Sequence, residues 1–301
     1  MGDIGGASAG MNGAPAPVDR PARSYFDQPV RAELVFSRDP VGRTYVSRQH
    51  MPYPFHVCRP LYIEQDPPGM ATIYVQSCSA GLLQHDDLRT SIVVEPHARA
   101  HFTTATPTIV HSMEEGRAKH EVRIEAFPES LAEYLPEPLV LFPGSRLRSA
   151  VYVSAHESSS VIAAESFLLH DYSGADGVFE CFESEMQIQR PGGRTLARDR
   201  FRLTGKLFQE RRPGGNAEFR AQGSLVVLGG GILSDAVLGA IRDGLASSVN
   251  VYAGVSALRD GCGVWTRLLA PDGLALRGAM SAAWIAAREV LTGLTPARRR
   301  K

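Results

Sequence analysis

From about Ala32 to Leu203 the chain is a succession of short β-prone runs divided by turn-forming clusters. Examples are ATIYVQS, TSIVVEP, KHEVRIEAF, LVLFPG, SAVYVSA and SSVIAAESFLL. No long helical period interrupts them. A weak regularity runs through this region. Strands end near Val94, Ile124 and Val153, at intervals of 30 and 29 residues (94 to 124, 124 to 153), each followed by a polar or proline-bearing turn and a second run. Equal spacing lets successive strand pairs stack and bury a shared face. The chain is therefore expected to be mainly β, with stacked sheets in a solenoid-like arrangement; an ordinary β-sandwich is the competing architecture.

The last third departs from this pattern. Ser234 has the chemistry of a helix N-cap, Asp235 suits the positive helix end, and Val237, Leu238, Ile241 and Leu245 share one face. A second helix is expected from about Ala279 to Leu291, with Met280, Trp284, Ala287 and Leu291 on one side and Pro296 beyond its end. Between them NVYAGVSAL and GVWTRLLA read as strands joined at Arg259-Asp260-Gly261. Two short helices thus complete a β-α-β-β-α ending. The opening residues 1–24, rich in Gly, Ala and Pro, are expected to form a disordered tail. Residues 25–296 are expected to form a single β-rich domain, and 297–301 a solvated basic tail.

Charge narrows the classes of partner. Thirty-two basic residues balance 32 acidic ones, so no whole-molecule field favours nucleic acid or anionic lipid. No apolar run is long enough to cross a bilayer and no secretory signal opens the chain, so a cytoplasmic protein with no membrane partner is expected. Cys58, Cys78, Cys181 and Cys262 are scattered without a CxxC pair and read as ordinary buried thiols.

Motifs for catalysis are missing. Gly229-Gly230-Gly231 lacks the lysine and hydroxyl of a phosphate loop and reads as a turn, and no G-x-S-x-G elbow is present. His85, His97, His101, His111 and His120 crowd into one third of the chain, but alternation along strands sends such side chains to different faces. Asp86, Asp87, Glu114, Glu115 and Glu180 lie where turns are expected and read as surface or capping acids.

Several stretches, taken in order, resemble the urease accessory proteins of the UreD family, called UreH in some organisms. AGLLQHDDL (80–88) is similar to the family's glycine-rich run ending in Gly-Asp, and VVEPHARAHFTTATPTIVHS (93–112) to the strand pair that follows it. LAEYLPEPLVLFPGSRLR (131–148) resembles its most specific signature, and AGVSALRDGCGVWTRLLA (253–270) its C-terminal strands. The family's glycine before the aspartate is His85 here, its arginine after Gly174 is Ala175, and a family lysine gives way to Pro107-Thr108-Ile109-Val110.

The resemblance implies a mainly β, non-catalytic scaffold that binds the urease apoprotein and, with UreF and the GTPase UreG, supports nickel insertion into the urease active site. It implies no tightly bound cofactor, with nickel in transit along polar groups. Carried over by position, these are Asp86, Thr103, Thr104 and Glu180. A borderline cation needs oxygen or nitrogen lone pairs to replace shed water, and only a weak row of them lets it move on. Two alternatives stand beside this reading: a metallochaperone holding nickel directly through His85 and Asp86, and a diverged interaction protein that has lost the urease role.

Overall fold

The computed structural model describes residues 29–63, 66–210, 219–229, 231–297 and 299. The expected tail over 1–24 lies outside them. Fourteen strands precede the first helix: β1 (Val30–Arg38), β2 (Thr44–His50), β3 (Phe55–Val57), β4 (Ala71–Ser77), β5 (Asp87–Val94), β6 (Arg99–Thr104), β7 (Thr108–Val110), β8 (Ala118–Ala126), β9 (Leu131–Tyr134), β10 (Leu139–Leu141), β11 (Arg146–Ala155), β12 (Ser160–Leu169), β13 (Cys181–Gln189) and β14 (Thr195–Leu203). The remainder is α1 (Gly205–Gln209), β15 (Ala221–Leu228), α2 (Gly231–Leu245), β16 (Tyr252–Ala257), β17 (Gly263–Ala270) and α3 (Gly273–Thr292).

The strands stack as a solenoid with two main faces. Sheet I runs β14-β13-β11-β8-β5-β1-β2 and sheet II runs β16-β17-β15-β12-β9-β6-β4-β3. In sheet I the five strands from β13 to β1 are parallel, as are β12, β9, β6 and β4 in sheet II. A short third ladder of β7, β10 and the end of β12 is also parallel. The repeat seen in the sequence is the coil of this solenoid. Ile124 pairs with Val153 as its spacing requires, but its partner on β5 is Ile92 and not Val94, so that interval is 32 residues. The difference of two keeps every side chain on its original face.

Alternation explains the core. Leu34 and Phe36, Ile92 and Val94, Val122 and Ile124, and Val151 and Val153 point from sheet I onto Ala71, Ile73, Ala100, Ala132, Val161 and Ala163 of sheet II. Each large side chain buried there contributes about 1.5–3 kcal/mol. A second core lies outside sheet II, where Leu225, Val227, Val264 and Leu268 meet Val237 and Ile241 of α2 and Leu276 and Ala283 of α3. Phenylalanines fill one end of the solenoid, with Phe167 against Phe182 at 4.7 Å and Phe208 at 5.4 Å between ring centroids.

Both expected helices form, and each begins earlier than its sequence reading. Ser234 is not a cap: it lies inside α2, buried, and its hydroxyl donates to the Gly263 carbonyl at 3.0 Å. The second helix begins at Gly273, because Asp272 caps it by accepting the Ala275 amide at 2.8 Å. It ends at Gly293, whose φ of +69° suits the left-handed C-terminal position. The five-residue α1 had no readable period, since one turn carries none. The thiols also differ from expectation: Cys262 is buried, Cys181 half-buried, and Cys58 and Cys78 are exposed, all four free. Arg299, placed by sequence in a solvated tail, is instead buried against Asp66 at 2.7 Å. Among the described residues no helix is long and apolar enough to cross a membrane.

Candidate functional site

The segment Leu135-Pro136-Glu137-Pro138 separates β9 from β10 in sheet II. Two prolines without N–H groups cannot continue a ladder, so the sheet opens here. The threonine pair holds the crossing in place. Thr103 and Thr104 are consecutive on β6 and so point to opposite faces. The Thr103 hydroxyl donates to the Leu135 carbonyl at 2.6 Å, and the Glu137 amide donates to Thr104 Oγ1 at 2.9 Å.

Outside the opening lies a groove of about 390 Å³ between sheet II and α3, bordered by His101, Thr103, Glu137, Trp284 and Arg299. The Glu137 carboxylate faces Arg277 of α3 at 3.0 Å. Beneath the groove is a buried ionic network. Arg288 donates through Nε and Nη2 to both oxygens of Glu133, and its Nη1 lies 3.1 Å from Asp66, which also accepts from Arg299. His101 Nδ1 lies 2.6 Å from Glu133. Burial lowers the His101 pKa to about 4 despite the carboxylate, so the ring is neutral and donates its Nδ1–H. The Glu133 carboxyl is pulled down to about 2, the Arg288 charge and the His101 hydrogen bond outweighing its burial. Trp284 covers the network, with its ring 5.4 Å from both guanidinium carbons.

Inside the opening, between the sheets, is a cavity of about 50 Å³. Thr90, Thr104, His120, Ser149 and Glu165 give it polar walls, and Pro136, Glu137 and Ser166 line both cavity and groove. Such a volume holds a few waters or one partly hydrated ion. Glu165 reaches across from β12 and accepts the hydroxyls of Ser149 and Ser184, neighbours in the register of β11 and β13. Burial raises the Glu165 pKa against the pull of those hydroxyls. His120 shares a rung with Ser149. Its Nδ1 is buried without a hydrogen-bond partner, and burial lowers its pKa to about 4. The walls therefore offer hydroxyl and carboxyl oxygens and a neutral imidazole, without a dense chelating set.

Asp86, His85 and Glu180 sit where the chain enters strands of sheet I. Asp86 precedes β5, and its carboxylate accepts the Leu83 amide at 2.7 Å. Burial raises its pKa, and that hydrogen bond opposes the shift. His85 beside it is exposed and held at φ +68°, a left-handed conformation in which a glycine is unstrained. Its Nε2 lies 3.8 Å from Glu115. Glu180 is exposed at the rim of a separate recess with Arg117, Arg146 and Arg202. Thus the fold brings Thr103 and Thr104 together with Glu137, while Asp86, Glu180 and His85 line neither the groove nor the cavity. Among the described residues no three His, Cys, Asp or Glu side chains are grouped as a metal-ligand set.

Sequence reasoning passed over Glu133, Glu137, Ser149, Glu165 and Ser184. A signal existed for three of them. In Leu147-x-Ser149-x-Val151, Ala163-x-Glu165-x-Phe167 and Phe182-x-Ser184-x-Met186, one polar residue interrupts an apolar stripe of period two.

Comparison with known proteins places the chain in one family. A family model described as UreD urease accessory protein matches residues 29–301. Urease accessory protein UreD 1 of Pseudomonas syringae pv. tomato is 42% identical over 270 residues, spanning 90% of this chain and 95% of the relative. UreD 1 of Methylorubrum populi is 37% identical over 290 residues, 95% of this chain and 96% of the relative. UreD 2 of Streptomyces griseus is 31% identical over 259 residues, 84% and 87% respectively. With the match running through the strand stack, the Leu135–Pro138 crossing and the terminal helix, the chain belongs to the UreD family of urease accessory proteins.

Proposed function

We propose that the chain is a non-catalytic cytoplasmic scaffold of urease maturation, which binds the urease apoprotein together with UreF and UreG and lets nickel pass through its interior. The observation that carries the proposal is the opening in sheet II, where Glu137 and Ser166 border both the outer groove and the polar cavity. Nickel is cargo here. In transit it exchanges water for the oxygens of Glu137, Thr104, Ser149 and Glu165 and for the His120 imidazole, each a weak partner when met singly. A raised Glu165 pKa favours the neutral acid when the cavity is empty; an arriving divalent cation favours the carboxylate and releases a proton. Asp86 keeps its carboxylate on a backbone amide, which supports a part in shaping the coil edge more than in tight chelation.

The test is co-expression with the cognate urease subunits, UreF and UreG in nickel medium. Urease activity, urease-bound nickel and co-purification are compared with and without this chain. All three are expected to depend on it. Full activation in its absence would overturn the proposal.

A further inference from the structure

At the turn between β1 and β2, three guanidinium groups surround a recess of about 490 Å³: Arg38 at the end of β1, Arg43 in the turn and Arg99 at the start of β6. Among the described residues none of the three has a carboxylate within ion-pairing distance, whereas Arg48, Arg89, Arg123 and Arg198 each do. The nearby carboxylate of Asp39 accepts the amides of Val41 and Arg43 through Oδ1, at 3.1 and 2.7 Å. Arg99 is half-buried, and burial together with the charge of Arg38 depresses its pKa. Like charges are thus held side by side without a paired carboxylate among the described residues, in a molecule whose net charge is zero.

The floor of the recess is rigid. Tyr62 donates its hydroxyl to the Thr44 carbonyl at 2.7 Å, and the Arg99 amide donates to Thr44 Oγ1 at 2.9 Å. The Arg43 guanidinium stacks over the Tyr62 ring at 3.8 Å, which fixes its plane and leaves its edge free to donate. Val41 is 88% exposed at the rim, and an adjoining recess that shares Arg43 and Tyr62 adds Arg59 and the exposed Tyr45. Arginine and tyrosine around a few exposed apolar groups is the composition of a protein-binding surface, and the combined opening is far larger than a single small anion needs.

The geometry points to a docking site for an acidic segment of a partner protein, whose carboxylates pair with Arg38, Arg43 and Arg99 while an apolar side chain rests on Val41 and Tyr62. This inference rests on the maturation reading only in that the partner is sought among its proteins. The test measures association of the full chain with the urease apoprotein and with UreF and UreG, at low and at physiological salt. Wild type is compared with Arg38→Glu/Arg99→Glu, the milder Arg38→Gln/Arg43→Gln, and the distant control Arg259→Glu. For one partner the wild-type on-rate should fall with salt. Charge reversal should lower it about ten-fold or more and flatten the salt dependence, the glutamine pair should give a smaller loss, and the control should match wild type. Circular dichroism verifies that each variant is folded.

If wild type binds and both recess variants bind equally well, the inference is overturned and the maturation reading stands. If wild type binds no partner at all, both fall. If inorganic phosphate at constant ionic strength raises the melting temperature of wild type but not of the variants, while partner binding is unchanged, the recess is a small-anion site and the inference is again overturned.

Discussion

Replacing Glu133 by glutamine keeps the shape of the side chain and removes its charge. The network beneath the groove is balanced, with Asp66 and Glu133 opposing Arg288 and Arg299 around a neutral His101. Glu133 and Arg288 are both fully inaccessible to solvent, so the variant leaves Arg288 facing Asp66 alone, an acid already shared with Arg299. Breaking a buried pair from one side costs about 3–5 kcal/mol, because the surviving charge stays desolvated. At roughly 2–4 °C per kcal/mol for a domain of this size, the melting temperature should fall by about 10 °C. Urea titration at pH 7 gives the free energy directly. Arg288→Met tests the cause. The double variant should be more stable than the sum of the two single losses by at least about 1 kcal/mol, since it removes both charges together. A Glu133→Gln loss below about 1 kcal/mol, or strict additivity in the cycle, would refute the claim that this network joins α3 to sheet II through paired charge.

Glu137→Gln should reduce urease activation in the co-expression assay while costing no more than about 1 kcal/mol in urea unfolding, since the Arg277 it leaves unpaired is half exposed and can be solvated. Equal activation would remove Glu137 from the path. Gly81→Ala should cost more than about 2 kcal/mol, because Gly81 sits at φ +137° and a methyl group there would meet the Ile109 carbonyl at 2.2 Å. His85→Gly should instead be neutral or stabilising by up to about 1 kcal/mol, as it relieves a left-handed histidine; thermal unfolding of the two variants separates them. Stability should also fall as pH drops from about 6.5 to about 4. In that window His101 and His120 stay neutral when folded and take up protons when unfolded. The Glu133 carboxylate, with its folded pKa lowered to about 2, extends the loss below the ordinary carboxylate range. A melting temperature unchanged between pH 7 and 4.5 would contradict both histidine assignments.

The stacked β architecture was legible because alternation and a period near 30 residues are local properties of the sequence. The choice between a solenoid and a sandwich was not, since it depends on whether strands run parallel, and Val151 buries the same face in either case. Site residues divided along similar lines. Thr103 and Thr104 were found through a motif, and their use, binding Leu135 and Glu137 from opposite faces, required the fold. Glu133 and Arg288 are 155 residues apart, so no local pattern joins them. The acids at the coil edge were read as capping or surface groups, and Asp86 indeed accepts a turn amide. Ser234 misled because serine before an apolar stripe is a general cap signal, whereas here the hydroxyl satisfies a carbonyl on a neighbouring strand.

The parallel stack is finite because antiparallel strands terminate it, β2 and β14 on sheet I and β3 and β15 on sheet II. Chain length can therefore vary in only two ways without scrambling the interior. Residues can be gained or lost in the bends, as the unequal rung spacings of 32, 29 and 35 residues (92 to 124, 124 to 153, 153 to 188) already illustrate. Alternatively a whole coil can be duplicated between existing ones. A single residue inserted within β8 or β11 would invert everything beyond it, turning His120 or Ser149 to the outer surface and exposing the apolar stripe. Insertions and deletions among natural variants should accordingly cluster at the bends, and the strands flanking the cavity should be the most length-invariant part of the molecule.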